Sequence, residues 1–524
     1  MKRTRELPVF PLSPDPVRAG VGRDVAPVHL EISSRGDPAG PRIALVTLGC
    51  DKNTVDSERM MAALVGHGAR VSSEVDDAEV VIVNTCGFIQ AAKEESIETI
   101  LEACRMKEIG RLRAVVAVGC LVQRYKDELR REIPEVDLFM GLTELRGLVP
   151  ELRSRGLLPA PEDVPVMERP LRILSTDTPH TSYLKISEGC DHACAFCAIP
   201  LMRGLHRSQP VEDLVREAAG LGARGVRELN IVSQDTTWYG RDLRRGPAGH
   251  SAPLLPDLLR ALLAGTDIDW YRLFYMYPSG LTRELVELIA TEARILPYLD
   301  MPIQHGSDRV LERMRRPERR RTIIERVGWL REAVPDLTLR TTVIVGFPGE
   351  NDEDFHQLLE VLEEVRFERV GAFTYSVEEG TPAAEMADQV SESVRNERLE
   401  ELMEVQRSIS FEKNLEQVGR TTTLLIDRVV TDDPEYVAVG RTAAQAIDID
   451  GVTHVLAGPE AGTGSSGRTV ADLAGDASAA LPSGLEAGRM VEVEIVDALD
   501  YDLVARVSGR GLTPPRGRPN GRKG

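Results

Sequence analysis

Three cysteines stand within eight residues, in Cys190-Asp-His-Ala-Cys194-Ala-Phe-Cys197, directly after the strand-like run that begins at Tyr183. Such a Cys-x3-Cys-x2-Cys cluster is too dense for accidental core cysteines. It is also one thiolate short of the four that close a tetrahedral structural zinc site. Three ligands on a metal assembly leave one coordination position open. On an iron–sulfur cluster held by cysteine thiolates, that position is an iron free to take a substrate or cofactor. The alternative is a zinc knuckle completed by His192 or His206, although zinc spacings usually pair their ligands two and two.

A second set of three is spread along the chain. Arg42-Ile-Ala-Leu-Val-Thr-Leu-Gly-Cys50, Val80-Val-Ile-Val-Asn-Thr-Cys86 and Ala114-Val-Val-Ala-Val-Gly-Cys120 are apolar runs that each end in cysteine. Helical stretches such as Asp56 to His67 and Glu94 to Lys107 lie between them. Val/Ile-rich runs alternating with helices predict a parallel sheet buried on both faces. In open α/β sheets the carboxyl ends of the strands form the ligand-binding edge. Cys50, Cys86 and Cys120 are therefore predicted to converge as a second three-cysteine site. The competing reading is of small buried residues at strand ends. Cys104, alone in a helical stretch, reads as core.

The elements that position these residues fall into an α/β multidomain chain. Residues 1–40 and 511–524 are rich in Pro, Gly and Arg and read as a disordered extension and tail. Residues 41–150 form the parallel α/β domain, and 151–179 a Pro- and charge-rich linker. From 180 to 413, six strand-like runs (182–187, 226–233, 271–277, 298–303, 337–345 and 370–375) alternate with helices. They predict a partial (βα)6 barrel with the central cysteines at its carboxyl face, where such barrels hold their active sites. Residues 414–510 contain β-like segments at Thr421, Tyr436, Gln445–Ile449, Val491 and Leu503, predicting a small antiparallel β-barrel. A Gly/Ala/Ser-rich loop from Gly458 to about Gly488 interrupts it.

Bulk properties bound the rest. The 524-residue chain is 42% hydrophobic, enough for substantial cores, and has no run of about twenty apolar residues to span a membrane. No apolar segment follows the charged N-terminus, so no secretory signal is read. Seven cysteines, clustered or single, argue for a reducing compartment and metal ligation over a disulfide framework, hence a cytoplasmic protein. The formal net charge of −19 disfavours a general phosphate-backbone binder and favours a basic partner.

Two three-cysteine sites, an α/β domain, a partial barrel and a small β-barrel together resemble the methylthiotransferase family of radical S-adenosylmethionine (SAM) enzymes. The resemblance spans roughly residues 41–510. It rests on Leu48-Gly-Cys50-Asp-Lys-Asn-Thr-Val-Asp-Ser-Glu58, Asn84-Thr-Cys86-Gly-Phe-Ile, the central cysteines, Tyr298-Leu-Asp-Met-Pro-Ile-Gln-His305 and Gly346-Phe-Pro-Gly-Glu350. The final barrel resembles a TRAM domain. The first two motifs, with Ala92-Lys-Glu-Glu-Ser-Ile97 and Val232-Ser-Gln-Asp-Thr-Thr-Trp-Tyr-Gly240, are similar to the branch that modifies an aspartate of the twelfth protein of the small ribosomal subunit. The other branch modifies adenosine in tRNA. That branch, and a non-enzymatic iron–sulfur or zinc-binding ribosome-associated module, are the alternative readings. Pro is common in the protein-modifying branch where Asp51 and Ile447 stand, and Thr where Asn351 stands; these departures touch only local loop geometry.

The resemblance implies two 4Fe–4S clusters, one on Cys190, Cys194 and Cys197, the other on Cys50, Cys86 and Cys120. It implies that SAM is cleaved at the first to a radical that takes hydrogen from the aspartate β-carbon. The second would carry the sulfur that is methylated and transferred. Phe196, Gln234, Arg340 and Gly346 are candidate SAM contacts, and a reducing partner such as flavodoxin or ferredoxin is expected. Residues 416–510 hold sixteen Asp/Glu against seven Lys/Arg, a net of −9. That charge suits a basic ribosomal protein as substrate and makes direct nucleic-acid binding unexpected.

Overall fold

A computed structural model describes residues 40–72, 74–161, 171–174, 178–245, 251–457 and 485–508. The tail expected from Gly511, and the extension except Gly40, lie outside the described residues. So does most of the stretch from Gly458, which is described only from Leu485.

The first unit comprises β1 (Arg42–Thr47), α1 (Asp51–Val65), β2 (Arg70–Ser72), β3 (Val80–Thr85), α2 (Gln90–Glu108), β4 (Ala114–Gly119), α3 (Cys120–Glu132), β5 (Leu138–Gly141) and α4 (Leu148–Ser154). Its five strands are all parallel, in the order β2-β1-β3-β4-β5. Every residue of β3 and β4 is buried. Their side chains alternate between two cores: Val81, Val83, Val115 and Ala117 pack on one face, and Val80, Ile82, Val116 and Val118 on the other. That double coverage is why the runs read as continuous Val/Ile. The second core includes Leu152, Leu157 and Leu158, so this unit continues past the boundary expected at residue 150. The expected linker is also pinned: buried Arg172 reaches Glu58 of α1.

The second unit contains β6 (Thr181–Lys185), β7 (Ser187–Glu188), α5 (Ile199–Arg203), β8 (Arg207–Ser208), α6 (Val211–Gly222), β9 (Glu228–Val232), α7 (Leu255–Gly265) and β10 (Trp270–Leu273). It continues through α8 (Arg283–Thr291), β11 (Ile295–Asp300), α9 (Asp308–Arg313), α10 (Arg320–Ala333), β12 (Thr338–Val345), α11 (Asp352–Val365) and β13 (Arg369–Thr374). Six parallel strands run in chain order from β6 through β9, β10, β11 and β12 to β13, and the two ends do not pair. The result is an open arc, the partial barrel expected. Alternate residues face opposite layers. Tyr271, Leu273 and Leu299 meet the helices, while Trp270, Phe274, Leu296 and Tyr298 meet the third unit. Asn351 caps α11 by accepting from the Asp354 backbone N–H at 2.9 Å, so its departure from Thr retains an N-cap.

Helix α12 (Glu392–Leu415) packs on β13 and leads into β14 (Thr421–Val429), β15 (Tyr436–Thr442), β16 (Thr453–Leu456), β17 (Met490–Ala498) and β18 (Leu503–Val507). These close a barrel in the order β14-β15-β16-β18-β17. Two expectations need correction. The β16–β18 pair is parallel, so the barrel is not purely antiparallel. The segment Gln445–Ile449 is a turn, and the strand lies downstream at β16. Side chains win there over strand pairing: buried Gln445 Oε1 accepts from the Thr442 N–H at 3.1 Å and from Thr453 Oγ1 at 2.7 Å, and Asp450 accepts from the Ala446 N–H. Ile447 falls in this turn.

The third unit is fastened to the second by buried charge. Glu228 accepts from Arg272 Nε at 2.8 Å and from Arg441 of β15, and Arg441 Nε also donates to Asp427 at 2.8 Å. Among the described residues no helix is long and apolar enough to cross a membrane.

Candidate metal centres

Strands β1, β3 and β4 are neighbours in register, with Thr47 beside Asn84 and Thr85 beside Gly119. Cys50 comes just beyond the end of β1, Cys86 directly follows β3, and Cys120 opens α3 directly after β4. All three thus stand at one sheet edge. Gly49 and Gly119 take φ of +91° and +103°, which let the chain turn sharply there. A Cβ on Gly49 would sit 2.8 Å from Cys86 Cβ and 2.9 Å from its Sγ. Gly49→Ala therefore strains the backbone by about 1–3 kcal/mol and drives a methyl into the site. It is expected to lose most of the iron bound at this trio while sparing the other, checked by iron analysis in a Cys190→Ala/Cys194→Ala/Cys197→Ala background.

Asn53, fully buried, organises this edge. Its Nδ2 donates to the carbonyls of Leu48 at 2.7 Å and Thr85 at 3.2 Å, tying the ends of β1 and β3, and its Oδ1 lies 3.8 Å from Cys120 Sγ. Burial pushes the Cys120 thiol up to about 12, with a smaller push from the neighbouring Cys50 and Cys86, while Arg203 opposes. Burial likewise raises Cys86.

The second trio sits in a loop closed at its base by the β7–β8 ribbon, which pairs Ser187 with Ser208 and Glu188 with Arg207. The loop is stapled to the barrel: the Ala195 N–H donates to the Met314 carbonyl at 2.9 Å, and the Ala383 N–H to the Ala195 carbonyl at 2.9 Å. Burial pushes Cys190 and Cys197 up to about 12, and the neighbouring Cys194 raises both. Buried Arg316 donates to Cys194 Sγ at 3.8 Å, and its guanidinium lies 3.9 Å from the centroid of the Tyr277 ring.

The donor set fits iron–sulfur ligation in both places. Each offers three thiols, Cys50 exposed and the rest buried or half-buried, and burial keeps Cys86, Cys120, Cys190 and Cys197 protonated until a cation arrives. The zinc alternative fares worse. His192 is held by Asp235 at 2.7 Å and stacked on Tyr277, and His206 Nε2 lies 3.2 Å from Ser208 Oγ. Among the described residues no group of three His, Cys, Asp or Glu is arranged to hold a single metal ion.

The two sites share a wall. Arg203, at the end of α5, sends Nη2 to Asn53 Oδ1 at 2.7 Å and Nη1 to Glu188 at 2.8 Å and Asp56 at 3.1 Å. Lys185 completes the group through Asp56 and Glu188. Ala198 and Met202, just after the central cysteines, pack directly on Cys120. Sequence reading missed Asn53, Arg203, Arg316 and Tyr277. Asn and Arg are ordinarily surface residues, and nothing in their spacing marks these as buried.

The candidate SAM contacts are placed unequally. Phe196 is partly buried against the cluster that contains Val310, Met314 and Phe347. Gln234 lies two residues beyond β9, and its Oε1 is buried with no hydrogen-bond partner among the described residues. Arg340 is already paired, donating to Asp300 at 2.9 Å and lying 3.6 Å from Asp450 of the third unit. It is a junction residue rather than a free cation for a SAM carboxylate. Gly346 has a φ of +70°, and a Cβ there would sit 2.1 Å from Arg395 Cγ, so packing against α12 already requires glycine. Asp51, the departure beside Cys50, accepts from the Tyr275 hydroxyl at 3.2 Å and joins the first unit to the barrel.

Family models divide the chain as its structure does. Residues 42–141 match the uncharacterized protein family UPF0004, 184–362 the radical SAM superfamily, and 418–507 the TRAM domain. This is the architecture of a radical SAM methylthiotransferase, an enzyme class that uses SAM and iron–sulfur chemistry. Among curated relatives, the ribosomal protein uS12 methylthiotransferase RimO of Anaeromyxobacter sp. (strain K) is 45% identical over 473 residues, covering 90% of this chain and 94% of that protein. The proteins of the same description from Geobacter sulfurreducens and Desulforudis audaxviator are 40% and 44% identical, covering 90% and 89% of this chain and 99% and 97% of theirs. The chain belongs to the RimO family of ribosomal protein uS12 methylthiotransferases. Among solved structures, the radical SAM methyltransferase TsrM from Kitasatospora setae matches at 14% identity with a TM-score of 0.46, covering 66% of this chain and 74% of that one.

Proposed function

We propose that this protein adds a methylthio group to the β-carbon of an aspartate in ribosomal protein uS12, using two 4Fe–4S clusters and SAM. The observation that carries the reading is the pair of three-thiol sites sharing one wall through Arg203 and Asn53. One site makes a radical enzyme; two, held side by side, make one that can join sulfur to carbon. Cys190, Cys194 and Cys197 would hold the cluster that binds SAM, and Cys50, Cys86 and Cys120 the cluster at which sulfur is presented. When bound, these groups supply the one-electron chemistry that breaks an unactivated C–H bond, which no side-chain acid or base can do.

The chain's own residues supply position and dryness. Asn53 holds the ends of β1 and β3 so that Cys50 and Cys86 face Cys120. Arg316 and Tyr277 press on Cys194 and keep water from the second trio. Gln234, with an unmatched buried oxygen, and Phe196, beside the third thiol, are the residues best placed to meet SAM. The third barrel fits a basic substrate: Asp432, Asp433, Glu435, Glu494, Asp497 and Asp500 are all exposed on it. A reducing partner supplies the electrons, and the chemistry belongs in the cytoplasm, where uS12 is made.

Mass spectrometry of uS12 from cells with and without the gene is the test. The expected result is one aspartate heavier by a sulfur and a methylene, only when the gene is present. Reconstituted enzyme that put sulfur into tRNA and none into uS12 would overturn the assignment.

A further inference from the structure

A cavity of about 570 Å³ opens beside the Cys190–Cys197 loop. His192, which lies between the first two thiols, forms part of its wall together with Trp238, Arg241, Arg315, Arg316 and Arg319. Charge here runs against the chain as a whole. Residues 313–321 contain six arginines and one glutamate, in a chain of formal net charge −19.

The arginines of this stretch divide into two sets. Arg313 and Arg320, outside the cavity, are neutralised by Asp388 and by Glu360 and Glu364. On the wall, buried Arg316 meets Glu318 at 3.1 Å, while the other arginines have no such acid among the described residues. Arg241 lies over the Trp238 ring at 4.2 Å, and Arg319 donates to the backbone carbonyls of Arg316 and Glu318. Neither they nor exposed Arg315 has a carboxylate partner among the described residues. Of the acids on the wall, Asp235 is taken by His192 and Thr237, and Asp191 accepts from the His206 N–H. Glu312 is the third acid of the wall, which it shares with four arginines.

The floor of the cavity reaches the metal site. Arg316, on the wall, donates to Cys194 Sγ at 3.8 Å. The His192 ring stacks on Tyr277 at 4.4 Å with planes 5° apart, and the Tyr277 hydroxyl lies 3.9 Å from the same sulfur. Arg316 therefore touches a buried thiol of the second trio, and His192 reaches the same sulfur through Tyr277.

We propose that this arginine-lined concavity is the docking site for an acidic one-electron carrier protein, and that electrons enter the Cys190/Cys194/Cys197 site across the His192–Tyr277–Arg316 wall. At this step the carrier, a reduced flavin or iron–sulfur protein, loses one electron and the centre gains it; no covalent bond forms or breaks. The proposal rests on the reading that this trio holds a redox cluster. A nucleic acid is the poorer fit. Phosphate tracking wants a broad basic stripe, and acids cancel the arginines flanking this recess. A carrier with acidic groups around its exposed cofactor needs only a small complementary patch beside the acceptor.

The experiment compares reductants on the full, cluster-reconstituted chain. Reduction is followed by absorbance and electron paramagnetic resonance, with reduced flavodoxin as the protein donor and reduced methyl viologen as a small one. The Arg241→Glu/Arg315→Glu variant is expected to slow reduction by flavodoxin about tenfold at low salt, the gap closing as salt is raised, while viologen reduction stays within about twofold. Arg321→Glu, an exposed charge outside the cavity, should leave both rates unchanged, and iron content equal to native confirms folding. Equal slowing with both donors, or with neither, would overturn the docking site and leave the cluster reading standing. So would an unchanged flavodoxin rate with lost affinity for a ribosomal RNA fragment. Failure of viologen to reduce even the native chain would defeat the cluster reading, and this proposal with it.

Discussion

Changing Cys50, Cys86 and Cys120 together to alanine is expected to leave SAM cleavage near the native rate and reduce methylthiolation to background. Changing Cys190, Cys194 and Cys197 is expected to abolish both. The asymmetry follows from placement. The first trio stands on its own sheet edge in its own unit, so losing its thiols removes no ligand or staple of the second loop, whose backbone is held by Met314 and Ala383; only the packing of Cys120 on Ala198 and Met202 is trimmed. The converse does not hold, because sulfur cannot be joined to a carbon that has kept its hydrogen. The measurement is 5′-deoxyadenosine release alongside the mass of uS12 in single reactions. Sulfur insertion that survived the first triple change would remove Cys50, Cys86 and Cys120 from the mechanism. Loss of SAM cleavage in that variant would mean that the shared wall at Arg203 and Asn53 couples the sites more tightly than this placement implies.

Replacing Glu228 by alanine is expected to loosen the third barrel from the second unit at a cost of about 3–5 kcal/mol. Glu228 is fully buried between Arg272 and Arg441, themselves buried, and no solvent reaches the three. Removing the carboxylate leaves two guanidiniums in a low-dielectric place. Arg441 would retain Asp427, whereas among the described residues Arg272 would retain only the Ala443 carbonyl and the face of the Tyr298 ring. Glu228→Gln, which keeps the shape and an acceptor oxygen, should lose less. Hydrogen exchange of the β9 and β15 amides reports the local opening free energy. A loss below about 1 kcal/mol would place the network among solvated surface pairs, which contribute that little. Arg340 and Asp450, 3.6 Å apart, would still join the same two units, so the variant is expected to loosen the third unit without releasing it.

Much of the architecture was legible because periodicity is local. A strand covered on both faces must be apolar throughout, so β1, β3 and β4 announce themselves. A ligand-binding sheet edge then puts Cys50, Cys86 and Cys120 together without any contact being known. The turn at Gln445–Ile449 shows the limit. Its apolar–polar alternation resembles a strand, yet Gln445 spends its amide oxygen on Thr442 and Thr453, and the pattern carries no trace of that choice. Gly346 and Arg340 show another: each is a reasonable cofactor contact by position, and each is also required by a neighbour far along the chain, Arg395 for one and Asp450 for the other.

The sequence by itself determined the chemistry, since two sets of three cysteines in these contexts admit few uses, and it determined the three units through their hydrophobic periods. Only the tertiary structure decided how the two sites face each other. Arg203, six residues after Cys197, finds Asn53 across a domain boundary, and Ala198 and Met202 pack on Cys120. Those contacts depend on how whole units dock, which burial and charge pairing settle over long separations and no local pattern encodes. The same holds for the arginines beside His192. Six in nine residues look like a solvated run until folding neutralises some and leaves others turned into a cavity next to a cysteine of the second trio.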